Sequence, residues 1–180
     1  MRDLRERKII KRIQDGEREL ISTLADSYYD EIYRFCYYTT GNQTAAYDVT
    51  QNTFLHLVTS IDSYAERNQF KAYLYCIARN CCNDYFRSLH NYENLDDQQI
   101  EASGDHMLQA DNSLLIQSCL EQLPLFQREV LILYFYQGFK IHEIATITRS
   151  SVPTVKSRLR QGKDKLKKIL SKEGIDSYER

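Results

Sequence analysis

The chain has 180 residues, enough for one ordinary domain or two small ones, and its 24 Lys and Arg nearly balance 25 Asp and Glu, which excludes a uniformly basic protein. Charge distribution, not the total, therefore bears on partners. No apolar run approaches the about 18 residues of a membrane span, and the start Met-Arg-Asp-Leu-Arg-Glu-Arg-Lys lacks a signal peptide's apolar core, so the expectation is a cytoplasmic protein with reduced cysteines and no membrane insertion.

With 2 prolines and 6 glycines, and apolar residues recurring at three and four, the chain reads as all-α, without a convincing strand. A first helix is expected from Glu17 to Tyr38, with Leu20, Leu24, Tyr28, Ile32 and Phe35 on one side and Gly41-Asn42 as its stop. A second runs from Thr44, a plausible cap, to about Ser60. Val49, Thr53, Leu57 and Ile61 lie on its inner side, and Asp48, Gln51, Asn52 and Leu55 on the other. A third, Phe70 to Leu89, turns Leu74, Ile77, Ala78, Cys81 and Tyr85 inward, so the three close a small bundle.

Residues 91–111 hold six acidic residues (Glu93, Asp96, Asp97, Glu101, Asp105, Asp111) and no Lys or Arg, with too little apolar content to fold alone. This predicts an acidic flexible linker, residues 91–112, between an N-terminal bundle at 1–90 and a second domain at 113–172, with 173–180 as a tail. The second domain opens with a helix at Ser113–Gln122. Another follows Leu123-Pro124 to Tyr136 and is stopped by Gly138. Two short helices, Ile141–Ile147 and Val152 to about Leu170, flank Thr148-Arg149-Ser150-Ser151, which is helix-turn-helix spacing.

The stretch Lys140–Lys168 carries nine Lys or Arg against Glu143 and Asp164. In its last helix Val152, Val155, Leu159, Leu166 and Ile169 form an apolar stripe, while Lys156, Arg160, Lys163 and Lys167 step round another side. Thr154, Lys156, Ser157 and Arg160 combine hydroxyls with long cations, the mixture that base edges and phosphates require. The same charges also suit a solvated helix, since cations near a helix C-terminus complement its dipole. In the third helix Tyr73, Cys76, Asn80, Asn83 or Asp84, and Arg87 share a face able to hold unstacked bases, although Tyr and Asn are also ordinary surface residues. The 5 cysteines show no metal-ligand spacing and read as buried thiols, and no nucleotide loop, catalytic triad or cofactor motif is present.

Several strings resemble the extracytoplasmic-function sigma factors, the small two-domain branch of the sigma-70 family. Ile13-Gln14-Asp15-Gly16, then Ile32-Tyr33-Arg34-Phe35, then Asp48-Val49-Thr50-Gln51-Asn52-Thr53-Phe54 are similar to the segment that docks on the polymerase clamp, implying core binding by Asp48, Gln51, Asn52 and Leu55. Phe70-Lys71-Ala72-Tyr73 through Ala78-Arg79-Asn80, with Asp84-Tyr85-Phe86-Arg87, resembles the helix that captures the minus-10 element. That implies DNA contacts from Lys71, Tyr73, Arg79, Asn80, Asn83, Asp84 and Arg87. Leu123-Pro124, Gln127-Arg128-Glu129-Val130, Glu143-Ile144-Ala145 and Thr154-Val155-Lys156-Ser157-Arg158-Leu159 are similar to the minus-35 domain, implying contacts from Thr154, Lys156, Ser157, Arg158, Arg160, Gln161 and Lys163.

The sequence departs from the family pattern at Tyr73, Cys76, Asn52, Lys140, Arg149, Pro153 and Gln161-Gly162. Glycine at 162 predicts fraying beyond Gln161, at a cost of about 1 kcal/mol against alanine, and Ser151 is expected to cap the helix ahead of Pro153. The resemblance implies a non-enzymatic, monomeric subunit without cofactors, with RNA polymerase core, duplex and single-stranded promoter DNA, and an anti-sigma protein as partners. The residues alone also fit a stand-alone helix-turn-helix regulator, or an adaptor that binds core without reading promoters.

Overall fold

The computed structural model describes residues 2–65, 69–93 and 111–172, and the chain divides into two compact units, Met1–Ala102 and Ser103–Arg180. Most of the expected linker, and the tail 173–180, lie outside the described residues. Among the described residues there are helices and no strand, as the sparse Gly and Pro implied.

In the first unit, α1 (Arg2–Gln14), α2 (Leu20–Asp26), α3 (Tyr29–Thr40), α4 (Gln43–Ser60), a 3-10 turn (Ile61–Ser63) and α5 (Phe70–Glu93) follow in order. Mutual packing of α3, α4 and α5 closes the bundle around Ile32, Phe35, Cys36, Val49, Leu57, Leu74, Tyr75 and Ala78. Each large apolar side chain fully withdrawn there contributes about 1.5 to 3 kcal/mol. Ile77 and Tyr85, expected inside, are half-buried; Tyr75 and Cys82 take core positions instead.

Three sequence expectations change in this unit. The single helix over 17–38 is two, because the chain turns at Ser27 and Tyr28, where Tyr28 widens to φ −119 and precedes the first residue of α3. The cap of α4 is Asn42, not Thr44: Asn42 is extended, and its side-chain oxygen accepts from the Ala45 N–H at 2.8 Å. The charged segment 2–14, given no element from sequence, is α1, whose Ile10 and Ile13 are buried against the unit. Gly41 does stop α3, in the left-handed conformation (φ 75) that satisfies the Tyr37 carbonyl.

The second unit comprises α6 (Asp111–Glu121), α7 (Leu125–Leu131), a π-helical turn (Ile132–Tyr136), α8 (Ile141–Ile147) and α9 (Val152–Lys172). The helix expected to reach Tyr136 thus ends as α at Leu131. The wider turn beyond it buries Ile132 and Leu133 and leaves Tyr134, Phe135 and Tyr136 exposed. α7 is pinned to α6 by Arg128, whose Nη2 donates to the Glu121 carbonyl at 2.9 Å; burial lowers this guanidinium's pKa, with Glu121 and Glu129 pulling the other way. α9 packs across α7 and α8, and Gly162 sits at the crossing with α7.

Candidate nucleic-acid interface

The helix-turn-helix is built by local bonds. At the end of α8 the Arg149 N–H reaches the Thr146 carbonyl (3.2 Å) and the Ser150 N–H reaches the Ala145 carbonyl (2.9 Å), the paired closure that needs its first donor residue to be left-handed. That residue is Arg149, at φ 48, a conformation that costs a side-chain-bearing residue about 1 to 2 kcal/mol. At the start of α8, the Glu143 carboxylate accepts from the Lys140 N–H at 2.7 Å. A lysine side chain has no acceptor to offer in return, so only half of a reciprocal cap forms. Ser151 caps α9 as expected, its Oγ accepting from the Thr154 N–H at 3.2 Å.

Val155, Gly162 and Ile169 are the buried positions of α9, with Leu159 and Leu166 half-buried beside them. Val152, expected in that stripe, is exposed. The fraying expected after Gln161 does not occur: α9 runs unbroken to Lys172, and Gly162 is buried where a Cβ would lie 3.0 Å from Leu131 Cδ1. Glycine here answers a close helix crossing and is not a weak point in the helix.

Lys156, Arg160 and Lys163 are exposed on α9, away from Val155 and Ile169, with Ser157 and Thr154 half-buried beside them. Lys163 also lies 5.7 Å from the Phe135 ring centroid. Arg158 is placed apart from this set. Its Nη1 donates to Ser150 Oγ at 2.9 Å and its guanidinium lies 5.2 Å from the Phe126 ring, so it braces the turn onto the helix. Gln161 is exposed but engaged: it donates to Ser157 Oγ (3.1 Å) and accepts from Gln127 of α7 (3.3 Å).

On α5, Tyr73, Asn80, Asn83, Asp84 and Arg87 fall within one side of the helix, with Cys76 among them. Asn80 and Asn83 are half-buried, while Asp84 and Arg87 are exposed and pair with each other at 3.0 Å. Arg79, half-buried, lies at the margin of this face. Tyr73 is held: its hydroxyl donates to Ser60 Oγ (2.7 Å) and its ring leans on Tyr64, centroids 4.7 Å apart. Lys71 lies about 160° round the helix axis from Tyr73. Its ammonium is 2.7 Å from Glu31 on α3 and 5.8 Å from the Tyr75 ring, so the structure does not bring it to the Asn80 face.

Asp48, Gln51, Asn52 and Leu55 are all exposed on α4, and Leu55 is 62% accessible, an unusual exposure for a leucine. The Tyr29 phenol has its pKa raised, chiefly by burial. Tyr29 begins a stacked row, Tyr29–Tyr33–Tyr37, along α3. All five cysteines are free thiols, four buried and Cys76 intermediate, and no His, Cys, Asp or Glu cluster fit for a metal occurs among the described residues. No described helix is long and apolar enough to cross a membrane.

Residues 24–91 match the family model for Sigma-70 region 2, and residues 113–166 that for Sigma-70 region 4. Among curated proteins, the chain is 31% identical over 179 residues to the ECF RNA polymerase sigma factor SigW of Bacillus subtilis, covering 91% of this chain and 96% of the relative. It is 30% identical to the ECF RNA polymerase sigma factor BldN of Streptomyces coelicolor, over 83% of this chain and 60% of that protein. Among solved structures, the sigma factor RpoE in complex with the anti-sigma factor NepR from Bartonella quintana superposes with TM-score 0.75 at 24% identity, covering 91% of this chain and 99% of that one. CnrH, solved with the cytosolic domain of CnrY, gives 0.71 at 22% identity, covering 96% and 99%.

Proposed function

The chain belongs to the extracytoplasmic-function sigma factors of the sigma-70 family, and from that premise we propose how its two units divide promoter recognition. As a sigma factor it acts with RNA polymerase core and promoter DNA to initiate transcription. α9 lies in the duplex major groove at the minus-35 element, with Thr154, Lys156, Ser157, Arg160 and Gln161 toward base edges and phosphates and Lys163 on the backbone. Arg158 acts indirectly, by holding the turn. The α5 face of Tyr73, Asn80, Asn83, Asp84 and Arg87 holds unpaired minus-10 bases, where each stacked base contributes about 1 to 3 kcal/mol against the cost of unpairing. Lys71, bonded to Glu31, supports α5 from its other side.

The exposed row Asp48, Gln51, Asn52 and Leu55 docks on the polymerase clamp, and an anti-sigma protein competes for these surfaces. The protein makes and breaks no bonds itself; core supplies the chemistry. The domain limits follow the same division: 1–90 for core and minus-10 binding, 113–172 for minus-35 binding, and 91–112 as the connection.

The observation that carries this reading is the separation on α9 of a buried seat (Val155, Gly162, Ile169) from exposed Lys156 and Arg160, on a helix fixed by a bonded turn. Run-off transcription with purified core over a promoter library tests it, comparing wild type with Asn80→Ala and Lys156→Ala/Arg160→Ala. Initiation at a defined pair of elements, reduced in both variants, is expected. Binding to core with no initiation from any promoter would instead make the protein an adaptor.

A further inference from the structure

We propose that Gln14 is a positioning residue for minus-10 capture: from the end of α1 it fixes the corner between α4 and α5, and through that corner the ring of Tyr73. Gln14 Nε2 donates both its hydrogens across the unit, to the Ile61 carbonyl at 2.8 Å and the Tyr64 carbonyl at 2.9 Å. These carbonyls belong to the 3-10 turn that ends α4 and to its C-cap; the Ile61 carbonyl also accepts from the Tyr64 N–H at 3.2 Å, so Gln14 closes onto the hydrogen bond that shapes the turn. A second tie lies beside the first, where Arg18, just before α2, pairs with Asp62 of the same turn.

What the corner holds is aromatic. Tyr64, whose carbonyl Gln14 binds, packs its ring on Tyr73 (4.7 Å between centroids) and on Phe70 (5.5 Å), both in the first turn of α5. The Tyr73 hydroxyl returns to Ser60, at the end of α4. A chain of direct contacts therefore runs from Gln14 through the Tyr64 backbone and ring to Tyr73, at the head of the Asn80 face. α1 buries Ile10 and Ile13 in the same unit and packs chiefly against α2 and the 3-10 turn.

The inference rests on the proposed minus-10 role of α5, and its test separates the two. Holoenzyme is reconstituted with full-length variants, and affinity is measured for two DNAs carrying a promoter selected with the wild type. One is forked, with the minus-10 non-template strand unpaired; the other is a duplex spanning the minus-35 element only. Gln14→Leu keeps the side chain's size and removes both donors, and is expected to weaken fork binding about tenfold, the effect of one to two net hydrogen bonds. Duplex binding and core affinity should stay within about twofold, because α9 belongs to the other unit and Gln14 bonds none of Asp48, Gln51, Asn52 and Leu55. Gln14→Lys restores donors and should recover most of the fork affinity, which a role in bulk stability would not require. Should Gln14→Leu fold poorly, Asp62→Ala, which releases only the exposed tie, is expected to show the same selective loss in smaller degree.

Asn80→Ala is measured alongside. If it weakens fork binding while Gln14→Leu and Asp62→Ala do not, α5 reads the element and the positioning role is overturned. If Gln14→Leu acts but Asn80→Ala does not, or if Gln14→Leu weakens both DNAs equally, Gln14 does not work through the α5 face and the proposal also falls.

Discussion

Replacing Gly162 by alanine sets two physical effects against each other with opposite signs. In a helix interior the change removes backbone freedom from the unfolded chain and stabilises by about 1 kcal/mol. At this crossing, the new Cβ would lie 3.0 Å from Leu131 Cδ1, 3.2 Å from Leu131 Cγ and 3.4 Å from Gln127 Cβ. Leu131 is itself 3% exposed and cannot swing into solvent, so relief requires α7 and α9 to part by a few tenths of an ångström. Overpacking of this kind costs about 1 to 3 kcal/mol, and the clash should win by up to about 2 kcal/mol. Native-state hydrogen exchange on the full chain reads this directly, as a lower opening free energy for amides of α7 and α9 with α3 to α5 unchanged. The control is the Leu131→Ala background: that change alone costs about 2 to 5 kcal/mol, but once the obstruction is gone Gly162→Ala should turn stabilising. The cycle should give a coupling of about 1 to 3 kcal/mol between the two positions. A single variant that stabilises by about 1 kcal/mol with no coupling would refute the packing argument and reinstate glycine as a weak point of the helix.

Arg149→Gly should stabilise the second unit by about 1 kcal/mol, because φ 48 at the turn strains any residue with a Cβ; a rise in the thermal midpoint checks it, and a fall would mean that the arginine side chain outweighs its backbone. Burial is the largest cause raising the Cys81 thiol pKa, so the group stays neutral in the folded protein; the stability it contributes is complete below the ordinary thiol pKa and lost as pH rises through the raised folded value. Iodoacetamide near neutral pH should therefore modify half-exposed Cys76 well before Cys81, and early labelling of Cys81 in mass spectra would contradict the burial. For the minus-35 duplex, Lys156→Ala/Arg160→Ala should flatten the log–log salt dependence of holoenzyme affinity by up to about 1.8 if both cations sit on phosphates, and by less if either reads a base edge. An unchanged slope with unchanged affinity would remove α9 from the groove.

How much of this was legible beforehand depended on whether the governing contacts were local. α8, its turn and α9 were readable because Gly138, Ser151 and the apolar spacing lie within a few residues of what they control, and α8 emerged with the expected limits. The break at Ser27 and Tyr28 was not, since no Gly or Pro marks it and the apolar period continues across. α1 was missed for a related reason: its sequence is dominated by charge, and its buried Ile10 and Ile13 are too few to raise a periodic signal. Gln14 could not have been found from spacing, because the carbonyls it bonds are 47 and 50 residues away. The role of Gly162 was misjudged because helix propensity is a local quantity, whereas the contact with Leu131 is tertiary.

The side chains nominated for DNA divide further by what already holds them. Arg158, Lys71 and Tyr73 each spend their polar group inside the protein, on Ser150, Glu31 and Ser60 respectively. To reach DNA with the same atoms, each would have to break a bond formed in the folded chain, and a bond to a charged group is worth about 1.5 to 3 kcal/mol net. Tyr73 escapes this cost in one respect: its hydroxyl is tied but its ring face is a separate resource, so stacking requires no bond to break. Asp84 and Arg87 are an intermediate case. Their pair is largely exposed, and exposed pairs of this kind are worth about 0.2 to 1 kcal/mol, little enough for a nucleotide to exchange. By this measure the proposed direct readers are Asn80, Lys156 and Arg160, with Asp84 and Arg87 proposed to be recruited on binding, while the proposed part of Arg158 and Lys71 is to keep their helices where those readers need them.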